Sequence, residues 1–147
     1  MAEGLIIAPA TRGDIAAIHQ IEEASFPAPW RREFFESELT ASGRFCLVAK
    51  RGGRVVGYLF SMFLFDEMHV NKIAVIAPER RRGVARELME RGLAFARHHA
   101  IRLITLEVRQ SNEGAIEFYR GLDFRSSYVR PRYYPDGEAA VVMTRAL

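Results

Sequence analysis

A mixed α/β domain is the fold class predicted by this sequence. Apolar runs of strand length alternate with segments whose apolar residues recur at helical spacing, and Gly- and Pro-containing turns separate them. The resulting order is β-α-α-β-β-β-α-β-α-β-β. With 147 residues, 49% of them hydrophobic, the chain has material for one sizeable core. No repeat, low-complexity stretch or long linker divides it, so residues 1–147 are expected to fold as a single domain.

Leu5 to Ala8 is a short apolar run that reads as the first strand. Thr11-Arg12-Gly13-Asp14 has the signature of a helix start, a threonine followed three positions later by an acid, and Ile15, Ile18 and Ile21 then share a helical face. Phe26-Pro27-Ala28-Pro29-Trp30 ends that helix, because each proline disfavours helical geometry in the residue before it. A second helix carries Phe34, Phe35 and Leu39 on its apolar side. Phe45 to Ala49 and Arg54 to Phe65 form a hairpin around Arg51-Gly52-Gly53, and Asp66-Glu67 turns the chain into a fourth strand, Met68 to Ile76. From Gly83 the period becomes helical, with Ala85, Leu88, Met89, Gly92 and Ala96 on one face. Ile101 to Val108 is a fifth strand and Asn112 to Leu122 a shorter helix. Phe124 to Leu147 reads as two strands around the turn Pro135-Asp136-Gly137.

Composition narrows the function classes. No apolar run approaches the roughly eighteen residues of a membrane span. The opening Met1-Ala2-Glu3-Gly4 lacks the basic and apolar regions of a secretory leader, so a cytoplasmic protein is expected. One cysteine, Cys46, excludes an internal disulfide and a cysteine-rich zinc site, and no residues have metal-ligand spacing, so no metal is expected. Cys46 reads as a small buried hydrophobe, His98-His99 as a helix-end cap and His19 as an exposed helical residue. The net charge of +3 gathers in Arg80, Arg81, Arg82 and Arg86 and in Arg125, Arg130 and Arg132. Without a helix-turn-helix, RNP or zinc-finger pattern, this reads as solvated surface or a site for one phosphorylated ligand, and no direct nucleic-acid contact is expected.

The most informative local feature is Val75-Ile76-Ala77-Pro78-Glu79-Arg80-Arg81-Arg82-Gly83-Val84-Ala85, where a buried strand runs through a basic turn into a helix. Free amides and the dipole at a helix start favour an anion, Gly83 lets the backbone approach it, and the arginines add positive charge. The turn is not a P-loop, since the Gly-Lys-Ser/Thr ending is missing. Farther on, Glu107 lies late in a strand, where ligand sites of α/β sheets gather, and Tyr119 lies on a helical face with Ala115 and Leu122. Taken alone, Glu107 reads as a strand carboxylate paired with Arg109, and Tyr119 as core packing.

The basic turn is similar to the acetyl-CoA signature of GNAT acetyltransferases, Gln/Arg-x-x-Gly-x-Gly/Ala, with Arg80, Gly83 and Ala85 on its defining positions. The block from Leu106 to Arg120, with Glu107-Val108-Arg109, Ser111-Asn112, Ala115 and Tyr119, resembles the bacterial ribosomal-protein-alanine N-acetyltransferases of that family (the RimI type). Phe26-Pro27-Ala28-Pro29-Trp30 and Arg132-Tyr133-Tyr134-Pro135-Asp136-Gly137-Glu138 agree with it. The resemblance implies a GNAT fold, a mixed, mostly antiparallel seven-stranded sheet flanked by about four helices. It implies acetyl-CoA as co-substrate, held by Ile73, Ala74 and Val75 through the backbone and by Arg80, Arg81, Arg82, Gly83, Val84, Ala85, Asn112 and Tyr119. It assigns the base to Glu107 and the acid to Tyr119; His69, which lies before the part of the strand expected to hold the cofactor, and Tyr133 and Tyr134, which sit beside a turn, are expected with Glu107 on the acceptor side. The acceptor the resemblance implies is the N-terminal amine of a protein, with an alanine-starting small-subunit ribosomal protein as the family's expected acceptor, and the expected assembly is a monomer or weak dimer. Neutralising an α-amine of pKa about 7.9 at pH 7 costs about 1.2 kcal/mol, against about 4.6 kcal/mol for a lysine near 10.4, which suits a single carboxylate. Acetylation of a lysine or small amine, and a CoA-binding module without turnover, are the alternatives. The chain departs from the family pattern at Asp123, in place of a glycine after the last helix, at Phe118 for leucine, at Ile76, Ala77 and the displaced Pro78, and at Lys72, where relatives carry a small amide.

Overall fold

The computed structural model describes residues 4–147, and Met1 to Glu3, read above for a leader, lie outside the described residues. The apolar run at the start forms β1 (Leu5–Pro9), followed by a 3-10 turn at Arg12–Asp14 that leads into α1 (Ile15–Ser25). The Asp14 carboxylate stops the turn from unwinding by accepting from the Thr11 amide at 2.9 Å and the Thr11 hydroxyl at 3.0 Å. After the two prolines come α2 (Arg32–Thr40) and the antiparallel meander β2 (Arg44–Arg51), β3 (Arg54–Leu64) and β4 (Glu67–Val75). The amphipathic helix α3 (Val84–His98), β5 (Leu103–Arg109), α4 (Glu113–Arg120), β6 (Arg125–Arg130) and β7 (Ala140–Ala146) complete the chain.

The strands form one seven-stranded sheet in the order β1-β2-β3-β4-β5-β7-β6. Every pairing is antiparallel except that of β4 with β5. The last two strands are not joined by a tight turn: β7 inserts between β5 and β6, and the Pro135-Asp136-Gly137 turn lies within the long connection at residues 131–139. Asp123, between α4 and β6, adopts the left-handed φ of 65° that the missing glycine would have taken.

Two features of β4 position everything that follows. Its parallel pairing with β5 stops at His69↔Thr105, after which both strands continue and separate, β4 to Val75 and β5 to Arg109. Its register against β3 jumps from Ser61↔Val70 to Phe60↔Lys72, which leaves Asn71 as a bulge. Side chains alternate across a strand, so the extra residue exchanges the faces beyond it. Met68 and Val70 before the bulge, and Val75 after it, pack in a core with Leu88, Met89 and Leu93 of α3 and with Tyr119 and Phe124. Ala74 packs in a second core on the opposite face, with Ile15, Ile18 and Ile21 of α1, Phe35 of α2, and Tyr58 and Phe60.

Candidate active site

Beyond β4, a 3-10 turn at Ala77–Glu79 leads to Arg81 (φ 61°) and to Gly83 (φ 86°), the N-cap of α3. A left-handed N-cap is inexpensive only for glycine, and a Cβ at Gly83 would meet nothing within 4 Å, so the requirement is conformational and not a matter of space. The first bond of α3 runs from the Glu87 amide to the Gly83 carbonyl at 3.0 Å, which frees the amides of Val84, Ala85 and Arg86 for an external acceptor. A cleft of about 320 Å³ opens there, with Val75, Arg81, Gly83, Ala85 and Arg86 on one side and Phe118 of α4 among its other lining residues. Helix amides, their dipole and guanidinium groups around a cleft of this size fit a diphosphate-bearing ligand.

The arginines divide their work. Arg80 donates through Nε to the Val75 carbonyl at 3.1 Å and so clamps the end of β4 instead of standing free. Arg82 and Arg51 approach the buried Glu79 carboxylate at 3.4 and 3.0 Å. Arg81 makes no ion pair among the described residues and lines the cleft. Ile73, Ala74 and Val75 pair with β3 at Leu59, Tyr58 and Gly57, while their other edge, facing β5, has no strand partner among the described residues.

Glu107 lies between two β5 neighbours, Leu106 and Val108, that point into the α3 core, so its own side chain points to the opposite face. There its Oε2 lies 2.5 Å from His69 Nε2, and His69 Nδ1 lies 2.5 Å from Oδ1 of the bulged Asn71. Both imidazole nitrogens therefore face oxygen acceptors, an arrangement that suits the doubly protonated ring. Burial pulls the His69 pKa down, but the hydrogen bonds to Glu107 and Asn71 together outweigh it and hold the ring above its ordinary 6.5. Burial pushes Glu107 up, yet the hydrogen bond and charge of His69 leave it below its ordinary 4.5. The expected pairing of Glu107 with Arg109 is replaced: Arg109 reaches Asp136 at 2.8 Å and Glu138 at 2.9 Å and stacks over Tyr134 at 4.2 Å. It thereby anchors the 131–139 connection to β5, with Tyr133 and Tyr134 packed edge to face at 5.0 Å. Burial raises both phenols, Tyr134 to about 12, and the Glu107 charge adds to the rise in each.

Tyr119 is on the other face, 7% exposed and in ring contact with Phe118 and Phe124 at 5.1 and 5.9 Å. Its hydroxyl makes no hydrogen bond among the described residues, and burial, with Tyr134 nearby, holds its pKa well above 10. Asn112 caps α4, accepting from the Ala115 amide at 3.1 Å, so its side chain has a local use that the sequence reading did not assign. The structure thus brings His69, Glu107, Tyr133 and Tyr134 together on one face of the sheet and places Tyr119 and the basic turn on the other. The β4–β5 separation connects the two faces. Sequence reasoning missed Asn71, whose role depends on a bulge, and Glu22, whose partners are distant in the chain. Among the described residues no group of three His, Cys, Asp or Glu side chains could hold a metal ion, and no helix is long and apolar enough to cross a membrane.

Comparison with known proteins agrees with this geometry. The model of the Acetyltransferase (GNAT) family matches residues 15–124. An uncharacterised Mycobacterium leprae protein is 37% identical over 150 residues, covering 97% of this chain but only 41% of that longer relative. The N-alpha-acetyltransferase of Sulfolobus acidocaldarius is 32% identical over 151 residues, covering 94% of this chain and 90% of the relative. The crystal structure of the ribosomal-protein-S18-alanine N-acetyltransferase from Escherichia coli superposes with a TM-score of 0.90 at 27% identity, over 97% of this chain and 94% of that one. With a seven-stranded sheet opened between β4 and β5, a basic turn at the end of β4 and a family match that runs through both, this chain belongs to the GNAT acetyltransferases and is an N-acetyltransferase.

Proposed function

We propose that the chain transfers the acetyl group of acetyl-CoA to the N-terminal α-amine of a protein, with a ribosomal protein that begins with alanine as the expected acceptor. The observation that carries this reading is the pair His69–Glu107 on one face of the β4–β5 opening, with the basic turn and Tyr119 on the other. A co-substrate at the turn and an amine at Glu107 would meet in that opening. The relatives whose names specify an α-amine or an N-terminal alanine support this choice of acceptor.

Acetyl-CoA supplies an acetyl thioester, and the chain's residues supply the remainder. Glu107, oriented by His69, takes one proton from the ammonium form of the amine and passes it to solvent. The neutral amine nitrogen then bonds to the acetyl carbon as the carbon–sulfur bond breaks, and the surplus proton it still carries leaves through Glu107 to solvent as the amide forms. A backbone amide near Val75 polarises the carbonyl oxygen; supporting this, Arg80 and the β3 pairing hold that end of β4. Tyr119 donates a hydrogen bond to the departing sulfur and keeps its own proton. Its raised pKa makes full transfer to a thiolate, whose conjugate acid has a pKa near 8.5, unfavourable. The thiolate is then protonated from solvent.

The test is incubation with acetyl-CoA and peptides that differ only in their first residue, with mass analysis of the products. Acetyl on the α-amine of alanine-first peptides is the expected result. Acetyl on lysine side chains alone, or on no amine, overturns the reading.

A further inference from the structure

The connection between α1 and α2 (residues 26–31) contains two prolines, which donate no backbone hydrogen bonds, and it lies on the face that carries Glu107 and His69. What holds it is Glu22 of α1, a glutamate with 0% exposure. One oxygen of Glu22 accepts from the Tyr58 hydroxyl of β3 at 2.5 Å. The other accepts from the Trp30 amide at 2.9 Å and lies 2.9 Å from Lys72 Nζ of β4. The Lys72 ammonium also sits 3.6 Å from the centroid of the Phe26 ring and 5.2 Å from that of Trp30. A single buried carboxylate on α1 thus ties together a hydroxyl of β3, an amide of the connection and the lysine of β4.

An ion pair removed from water adds little net stability, because desolvation offsets most of the attraction. Its effect is to fix geometry. Lys72 follows the Asn71 bulge, and the bulge turns its side chain away from the α3 core. Without that extra residue Lys72 would share a face with Met68 and Val70 and could not reach Glu22. The same bulge supplies the Asn71 oxygen that orients His69. One irregularity in β4 therefore sets both the catalytic pair and the fastening of the neighbouring connection.

We propose that Lys72 is a positioning residue for the acceptor: with Glu22, Phe26 and Trp30 it fastens the α1–α2 connection to β4, as the wall along which the acceptor amine approaches Glu107. This rests on the proposed acetyl transfer to a peptide amine. The experiment separates the two claims, because Trp30 is the only tryptophan in the chain and reports on the connection without turnover. Lys72→Met is expected to raise acrylamide quenching of Trp30 about twofold and the KM for an alanine-first peptide about tenfold, with kcat and the KM for acetyl-CoA changed less than about twofold. Lys72→Arg, which keeps the cation over the rings, is expected to retain the wild-type values. Unchanged Trp30 quenching in Lys72→Met, or an equal rise in both KM values, overturns the proposal. If Lys72→Met does not fold, Phe26→Leu removes the ring beneath the ammonium while leaving the ion pair, and the same readouts decide. A wild-type protein that acetylates no peptide removes the functional reading, whereas Trp30 quenching still decides whether Lys72 fastens the connection.

Discussion

Tyr119 has a hydroxyl that no described neighbour binds, on a side chain otherwise packed among aromatic rings. Losing that hydroxyl therefore breaks no hydrogen bond among the described residues, and Tyr119→Phe is expected to leave the melting temperature unchanged. If the phenol stabilises a departing thiolate, kcat falls about 100-fold while the KM for acetyl-CoA moves less than about twofold. Steady-state kinetics and a thermal melt check both halves. With Glu107 as the proposed base, His69 is expected to make the reaction sensitive to pH. A protonated imidazole bonded to Glu107 neutralises the carboxylate and weakens it as a base. The ring is held above 6.5, so kcat is expected to rise with pH through an inflection above that value as the proton leaves. His69→Gln, which cannot titrate, should lack the inflection, and a pH profile of kcat for both proteins checks this.

Gly57 in β3 is a close approach beside the basic turn. A Cβ there would lie 2.9 Å from the Ala74 carbonyl oxygen and 3.3 Å from side-chain atoms of both Val75 and Val84. Those residues are the end of β4 and the first residue of α3, the two elements that form the basic turn. Gly57→Ala must displace one of them, which costs about 1–3 kcal/mol and disturbs the free amides. The expected outcome is a lower melting temperature together with a higher KM for acetyl-CoA, measured on the purified variant. The turn after α4 presents the opposite case. Asp123 holds a φ of 65° that an L-residue adopts at a cost and glycine does not. Asp123→Gly is expected to add up to about 1 kcal/mol, or about 3 °C in a thermal melt, with kcat unchanged.

The sheet divides the molecule into two halves with separate cores, and the opening between β4 and β5 joins them. The basic turn belongs to the α3 half: Val84 and Val75 are buried in its core, and Arg80 bonds back to β4. A ligand that engages the turn is bound by the folded chain and not by the unfolded one, so it stabilises the whole. CoA at 100 times its Kd is expected to contribute about 2.7 kcal/mol. A CoA titration followed by melting temperature checks this, and no shift would count against the turn as its site. Arg109 has a comparable effect on the opposite face. By binding Asp136 and Glu138 and stacking on Tyr134, it ties the long 131–139 connection to β5 beside Glu107.

The element order, the hairpin at Gly52-Gly53, the break at Pro27 and Pro29 and the helix opening at Gly83 were all legible in the sequence. They depend on local rules: period of hydrophobicity, proline sterics and glycine freedom. The basic turn was legible for the same reason, since strand, turn and helix are contiguous. Partnerships between distant residues were not legible. The pairing of Glu107 with His69 and not Arg109, the reach of Lys72 to Glu22, and the insertion of β7 between β5 and β6 each join segments far apart in the chain. The bulge at Asn71 leaves no mark in residue type, yet by shifting strand parity once it decides which side chains of β4 face the chemistry. Local conformational preference is written along the chain, whereas the face a side chain meets is set by register, and register exists only when strands have come together.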